Sequence, residues 1–164
     1  MEDAVIELVP EAEKPVLARY LQFYLYEHAE FEDRKAVDGV FRYRWFDAYW
    51  REPDRRWPFW MRTAEDVVAF ALVRLDDEDG RYEMAEFFVV NRYRGQGLGD
   101  RFARDVLLRF DGEWKVSQVL HNKRAVAFWR RVIGGLGDYR EAKWTGGKGV
   151  AYVGQRFVIG GRQT

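Results

Sequence analysis

The chain has 164 residues, of which 48% are hydrophobic and 17% aromatic, and its 27 basic residues are balanced by 27 acidic ones. This length and apolar content predict one globular domain spanning residues 1–164, and the even charge argues against a nucleic-acid partner. The absence of cysteine excludes disulfides, thiolate metal sites and a cysteine nucleophile, and we expect no metal. No apolar run approaches the roughly 20 residues needed to cross a bilayer, and the acidic start is unlike a signal peptide, so we expect a cytoplasmic protein with no membrane partner.

The first half of the chain predicts a strand, two helical pieces and then three consecutive strands. An early stretch of apolar side chains at helical spacing follows Pro10, and β-forming residues dominate after Pro58. The predicted elements are a strand at 4–8, a helix at 11–31, a helical or irregular piece at 41–50, strands at 59–63 and 67–75 that form a hairpin, and a strand at 82–90.

The second half alternates helices and strands. From Gly97 the apolar residues change to helical spacing, and the helix ends at Asp111-Gly112. A strand at 114–120, a helix at 123–133 and two strands at 139–144 and 150–159 follow. The element order is therefore β, α, α, β, β, β, α, β, α, β, β.

Residues 92–99, Arg-Tyr-Arg-Gly-Gln-Gly-Leu-Gly, join the strand at 82–90 to the helix that follows. Three glycines let backbone N–H groups and the positive end of the helix face an anion, and Arg94 adds a cation. Asp100 stands where a dinucleotide fingerprint has its third glycine, and no Lys-Ser or Lys-Thr follows the loop as in a P-loop. The loop therefore predicts a phosphate-bearing ligand, but neither a dinucleotide-binding fold nor a P-loop.

The pattern Arg94-x-x-Gly97-x-Gly99, followed by His121-Asn122 and then Phe128-Trp129, resembles the GNAT superfamily of N-acetyltransferases. The surrounding residues look like a bacterial branch of predicted acetyltransferases with no known substrate. The resemblance implies an α/β (α+β) fold with a single mixed, mostly antiparallel sheet of about six or seven strands and helices on both faces. It implies acetyl-CoA as the cofactor.

The same resemblance implies the cofactor-binding residues. The loop would wrap the pyrophosphate, the strand before it would contact the pantetheine arm, and an N–H near Val89 or Val90 would polarise the thioester carbonyl. The implied set is Phe88, Val89, Val90, Arg94, Gly95, Gln96, Gly97, Leu98, Gly99, Asn122, Phe128 and Trp129.

Acetyl transfer to an amine needs a base for the amine and a proton for the departing thiolate. Glu86 is the first choice as base, since a carboxylate half-buried among aromatic residues would have a raised pKa; the alternative is a solvent-facing carboxylate paired with an arginine. His121 is the second candidate, against the alternative of a polar residue at a strand end. Trp129 stands where many relatives have a proton-donating tyrosine, and Tyr139 or Tyr43 are the candidate substitutes.

The aromatic and acidic residues of the first helical region predict an acceptor that is a small-molecule or peptide amine. Tyr24, Glu27, Glu30 and Tyr43 would bind its cation, the alternative being core aromatics and a solvated acidic face. We expect direct transfer to a primary amine in a ternary complex. Two other hypotheses stay open, a non-catalytic acyl-CoA-binding module and nucleic-acid binding by the arginines near the loop. Nothing in the sequence decides between a monomer and a homodimer.

Overall fold

The computed structural model describes residues 3–161. Its strands are β1 (Val5–Leu8), β2 (Arg56–Arg62), β3 (Val67–Leu75), β4 (Tyr82–Val89), β5 (Gly112–Val119), β6 (Arg140–Thr145) and β7 (Ala151–Ile159). Its α-helices are α1 (Lys14–His28), α2 (Ala48–Arg51), α3 (Leu98–Leu107) and α4 (Lys123–Gly134). The element order is the predicted one.

The seven strands form one sheet in the order β1-β2-β3-β4-β5-β7-β6. Neighbouring strands are antiparallel except for β4 and β5, which are parallel. The predicted mixed, mostly antiparallel sheet is thus confirmed. A parallel pair needs a crossover connection, and α3 provides it between β4 and β5.

Helices cover both faces of the sheet. On one face, Leu17, Leu21 and Leu25 of α1 recur at helical spacing and pack on Trp60 and Phe70 of the central strands. On the other face the apolar sides of α3 and α4 pack over the sheet around a second cluster, which includes Phe102, Val106, Trp114, Trp129 and Val132. The central strand β3 is buried on both faces, so it carries an almost unbroken apolar run.

Several predicted boundaries differ from the structure. The first helix begins at Lys14, with Pro15 in its first turn where no N–H is needed, and it ends at His28. Only Ala48–Arg51 of the predicted piece at 41–50 is α-helical, and Phe41 is bonded instead to the side chain of Gln22, whose Oε1 accepts from its N–H and whose Nε2 donates to its carbonyl, both at 2.8 Å. The second strand begins earlier than predicted and includes Pro58.

Within residues 3–161 the longest helix, α1, has 15 residues, and no helix combines the length and apolar character needed to cross a membrane.

Candidate active site

The sheet opens between its two parallel strands. β4 and β5 pair only at Tyr82↔Trp114 and Glu83↔Lys115 and then separate. At the same level β4 carries a β-bulge, since Val73 pairs with Met84 while Leu72 pairs with Glu86. A bulge bends its strand and turns the following side chains. The opening leads into a cleft of about 1360 Å³ and, beneath it, a small cavity of about 80 Å³.

The glycine-rich loop forms one wall of the large cleft, and its three glycines differ in their surroundings. Gly95 and Gly97 have φ values of 74° and 77°, and a Cβ on either would meet no atom within 4 Å. At Gly99 a Cβ would lie 3.0 Å from Cγ2 of Val89 and 3.4 Å from the ring of Phe128. The first two glycines leave backbone N–H groups accessible at the start of α3, and the third lets α3 pack against β4 and α4.

Arg94 connects the loop to its neighbours. Its Nε donates to the carbonyl of Val89 at 2.8 Å, and its Nη2 donates to Oε2 of Glu27 at 2.7 Å. Glu27, predicted to bind substrate, therefore forms an ion pair with a residue predicted to bind the cofactor. Three further cations from α4 line the cleft and give it a positive wall: Lys123, Arg124 and Arg131.

The backbone of β4 supplies donors to the opening on alternate residues. The N–H of Val90 donates to the carbonyl of Val68 at 2.9 Å, and the ladder continues with Phe88 opposite Phe70. Alternation in an antiparallel ladder then directs the N–H of Val89 away from β3 and toward the opening. Of the two N–H groups expected to polarise a thioester, Val90 is already bonded and Val89 is available.

Glu86 lies on the side of the sheet that α1 covers, next to the opening and in the wall of the small cavity. Burial raises the pKa of its carboxyl group, while the hydroxyls of Tyr24 and Tyr43 and the charges of His28 and Arg34 act in the opposite direction. The raised direction is the one predicted from the sequence. A raised pKa makes this carboxylate a stronger base than an ordinary glutamate.

Tyr24 and Tyr43, predicted to bind substrate, lie close to Glu86. Burial first, and then the charge of Glu86, raises the pKa of each phenol. Both hydroxyls therefore stay protonated beside the Glu86 carboxyl group. Tyr24 also contacts the rings of Phe70 and Phe88 edge-on, with centroids 6.0 Å apart in each pair.

The arrangement fits a phosphate-bearing cofactor with an extended arm. The open glycines, the free N–H groups at the start of α3 and the positive wall suit a pyrophosphate, and the gap between β4 and β5 suits a chain lying along a strand. The model of the acetyltransferase (GNAT) family matches residues 19–134. The chain belongs to the GNAT acetyltransferase family. Acetyl-CoA is the cofactor of this family, as the resemblance in the sequence implied.

Solved GNAT structures share the fold at low sequence identity. Spermidine N-acetyltransferase from Vibrio cholerae, solved with CoA and spermine, is 8% identical, with 96% of each chain covered and a TM-score of 0.67. RimL, a ribosomal L7/L12 α-N-protein acetyltransferase solved with CoA, is 7% identical, with 97% of this chain and 96% of RimL covered and a TM-score of 0.72. Ribosomal-protein-S5-alanine acetyltransferase from Vibrio fischeri is 12% identical, with 100% and 97% covered and a TM-score of 0.69. A comparison with curated proteins found no match.

In this GNAT domain the remaining predicted residues occupy different places. Asn122 caps α4 by accepting from the N–H of Ala125 at 3.2 Å, and it lines both cavities. His121 is exposed at the rim of the large cleft, as is Glu30. Tyr139 lines neither cavity and lies beside Gly134 at the far end of α4, so the structure does not bring it to Glu86.

The last predicted residues are on the loop and on α4. Gln96 is exposed and donates to the carbonyl of Arg92, whereas the side chain of Leu98 packs in the core and leaves only its backbone for a ligand. Trp129 is buried and contacts the ring of Phe87 with centroids 5.0 Å apart. Phe128 packs edge-on against Trp129 and forms part of the cleft wall.

The arginines of α3 are bonded within the protein. Arg101 of α3 donates to the carbonyl of Ala4, just before β1, and Arg109, two residues after α3, donates to that of Ile6 in β1. Arg104 pairs with Asp100 one turn earlier. These contacts occupy three of the basic residues on which the nucleic-acid hypothesis depended.

The sequence reading missed a polar cluster at the end of α1. Nδ1 of His28 lies 3.5 Å from Oε2 of Glu32, which also accepts from Nε of Arg34 at 3.0 Å. The hydroxyl of Tyr152 on β7 donates to Oε1 of Glu32 at 2.9 Å. The sequence signal for this cluster was the spacing of four residues between His28 and Glu32, which places two side chains on the same side of a helical turn. Nothing local in the sequence points to Tyr152.

Proposed function

We propose that this chain is an acetyl-CoA-dependent N-acetyltransferase that moves the acetyl group directly to a primary amine within a ternary complex. The observation that carries the proposal is the junction of two cavities. The large cleft has the glycine loop and a positive wall, and the small cavity has Glu86 in its wall. An acyl donor in the first and an amine in the second would meet where β4 and β5 separate.

Several residues of the chain would position the reactants. Backbone N–H groups from Gly95 to Gly99 would hold the pyrophosphate, and the N–H of Val89 would donate to the thioester carbonyl. Glu86 would accept a proton from the amine nitrogen. Since the chain has no cysteine to carry an acetyl group, transfer without an acyl-enzyme is the simpler course.

The small cavity favours an acceptor with a positive charge near the reacting amine. Glu86 and the aromatic ring of Tyr24 both line this cavity and form a site of the kind that binds ammonium groups, whereas Tyr43 lies beside Glu86 but lines neither cavity. Glu27 contributes less than the sequence suggested, because Arg94 already pairs with it. Two solved relatives are named for amine acceptors of different size, a polyamine and a ribosomal protein.

Release of free thiol from acetyl-CoA tests the proposal. Wild-type protein would be mixed with acetyl-CoA and, in turn, with polyamines, free amino acids and peptides with an unblocked N-terminus. We expect thiol release with at least one class and a matching mass increase of one acetyl group on the acceptor. Thiol release should fall in Glu86→Gln and not in Glu83→Gln, which lies on the same strand but pairs with Arg74.

Trp129 favours a second candidate, a non-catalytic acyl-CoA-binding module, because an indole at the junction supplies no titratable proton. Binding of CoA by calorimetry, together with no thiol release from any acceptor class, would support that module against the enzyme.

A further inference from the structure

The junction of the two cavities contains few groups able to move a proton. Within the described residues, six side chains line both cavities: Tyr24, His28, Phe87, Asn122, Ala125 and Trp129. The indole N–H of Trp129 and the amide of Asn122 donate hydrogen bonds without titrating. Burial and the charge of Glu86 raise the pKa of Tyr24 well above its usual value. His28 is left as the residue at this junction whose side chain has one ring nitrogen to accept a proton and another to donate one.

His28 is held by the polar cluster at the end of α1. Its Nδ1 is buried, lies 3.5 Å from Glu32 and has no closer hydrogen-bond partner among the described residues. The contact with His28, followed by the hydrogen bonds from Tyr152 and Arg34, lowers the pKa of Glu32 to about 2. Glu32 is therefore a fixed anion that favours a proton on Nδ1, which leaves Nε2 on the opposite edge of the ring to exchange protons. Contacts of this length in a ligand-free site commonly shorten in the reacting complex.

We propose that His28, oriented by Glu32, carries the proton that Glu86 takes from the amine to the sulfur of the departing CoA. This inference rests on the proposed acetyl transfer and adds to it the route of the proton. It makes His28 a catalytic residue and Glu32 a positioning residue.

The protons and bonds balance for an amine that enters uncharged. Glu86 takes one proton from the nitrogen as the nitrogen–carbon bond forms and the carbon–sulfur bond breaks. His28 receives that proton at Nε2 and gives it to the sulfur. Both side chains return to their starting states, and the products are an amide and a free thiol.

Titratable and charged groups from several elements face His28 and set its environment. Glu32 and Arg34 follow α1 in sequence, Glu86 lies across the small cavity on β4, and Tyr152 reaches Glu32 from β7. Tyr24 contacts the His28 ring with centroids 5.2 Å apart, and among the described residues Arg34 and Tyr152 reach His28 through their hydrogen bonds to Glu32.

Kinetics of four variants test the route. His28→Gln keeps a polar side chain but carries no proton, and we expect it to lower kcat by about 10²-fold, within the range typical of general acid–base catalysis, with CoA affinity unchanged. In His28→Ala, added imidazole should restore part of the lost rate. Glu32→Gln should lower kcat by a smaller factor that imidazole does not restore. The matched control is Asp33→Asn, which neutralises the exposed carboxylate next in sequence and should behave as wild type.

The proton on the ring gives a readout that does not depend on turnover. Nitrogen-15 NMR of the imidazole, assigned with His28→Gln, should show Nδ1 protonated in the wild type and in Asp33→Asn, and this preference should be lost in Glu32→Gln. A wild type that releases thiol while His28→Gln retains full kcat would overturn the route and leave the proposed function standing. Loss of CoA affinity in His28→Gln, or no rescue of His28→Ala by imidazole, would also overturn it by showing a structural role. A wild type that binds CoA but releases no thiol would overturn the proposed function, and the route with it.

Discussion

Glu86 has a chemical advantage and a stability cost that share one origin. Burial beside the opening raises the pKa of its carboxyl group, which brings the proton affinity closer to that of an amine acceptor. The same burial disfavours the ionised form in the folded protein. A group whose pKa is raised on folding binds protons more tightly in the folded state. Its contribution to stability is therefore greatest at low pH and is lost as the pH rises through the folded pKa.

Glu86→Gln should consequently change activity and stability in opposite directions. We expect kcat to fall by about 10²-fold or more. In wild type the rate should decline at low pH, because protonated Glu86 accepts no proton, and this decline should be absent from the pH profile of the variant. The free energy of unfolding at pH 8 should rise relative to wild type, and the gain should shrink toward pH 4. Urea unfolding at several pH values and steady-state thiol release measure the two effects. An unchanged acidic limb in the variant would remove Glu86 as the base.

The turn from β4 into α3 shows how one short segment combines two requirements. Gly95 and Gly97 adopt positive φ and leave space on the cleft side, whereas Gly99 permits close packing against Val89. A non-glycine residue in the left-handed region costs about 1–2 kcal/mol. A large side chain at Gly97 would therefore cause moderate strain and would also occupy the space expected for the pyrophosphate.

Gly97→Trp should abolish CoA binding measured by calorimetry while the protein remains folded. Gly80→Trp is the matched control, because Gly80 has a φ of 68°, also has no atom within 4 Å of a Cβ, and lies in the β3–β4 turn. Both variants should lose about 1–2 kcal/mol of unfolding free energy from backbone strain. Only the loop variant should lose CoA. Equal CoA affinity in the two variants would contradict the placement of the pyrophosphate.

Asn122 allows the cap of α4 to be separated from the cofactor site. Its Oδ1 accepts from the N–H of Ala125, so Asn122→Ala should cost about 1 kcal/mol of stability as an N-cap is lost. Asn122→Asp keeps the acceptor but loses the amide donor and adds a negative charge in the cleft. We expect the aspartate variant to keep its unfolding free energy and to bind CoA more weakly than wild type. Wild-type affinity in Asn122→Asp would remove Asn122 from the cofactor site.

The sequence predicted those elements and residues whose signals are local. The helical period of α3, the β-forming run of β3 and the glycine loop each lie within a dozen residues, and the element order was correct. The prediction began the second strand after Pro58, because a proline usually ends a strand, whereas β2 begins at Arg56. Pro58 is tolerated in β2 because its nitrogen faces Val9, whose carbonyl already accepts from Nε1 of Trp50 at 2.9 Å, so the missing N–H leaves no acceptor unpaired. Contacts between distant segments, such as Arg94 with Glu27 or Tyr152 with Glu32, depend on tertiary packing and produce no periodic pattern in the amino-acid sequence from which they could be predicted.

At the scale of the whole molecule, α1 is joined by hydrogen bonds and an ion pair to the segment that contains the glycine-rich loop. At its middle, Tyr20 donates to Oδ1 of Asp66 at 2.7 Å, and Tyr93 of the glycine-loop segment donates to Oδ2 at 2.8 Å. Near its end, Glu27 pairs with Arg94. The helix that carries Tyr24 and His28 is thus fastened to the segment expected to hold the cofactor. We infer that the position of α1 relative to the loop depends on the two hydrogen bonds that Asp66 accepts, from Tyr20 and from Tyr93, which together form the Asp66 bridge.

Asp66→Asn tests this bridge through its pH dependence. The hydrogen bond from Tyr20, and then that from Tyr93, lowers the pKa of Asp66 below its ordinary value of 3.8. Since the pKa is lowered on folding, the stabilisation is complete well above pH 3.8 and is lost as the pH falls through the folded value. We expect Asp66→Asn to cost about 1 kcal/mol at pH 7, because one charge-assisted hydrogen bond is lost and the other weakened. The difference in unfolding free energy between Asp66→Asn and wild type should narrow toward pH 3 in urea unfolding, and kcat of Asp66→Asn should fall. Glu65→Gln, at the exposed neighbouring residue, should keep wild-type values in both measurements. A difference that stays constant from pH 7 to pH 3 would show that the charge of Asp66 does not fasten α1 to the loop.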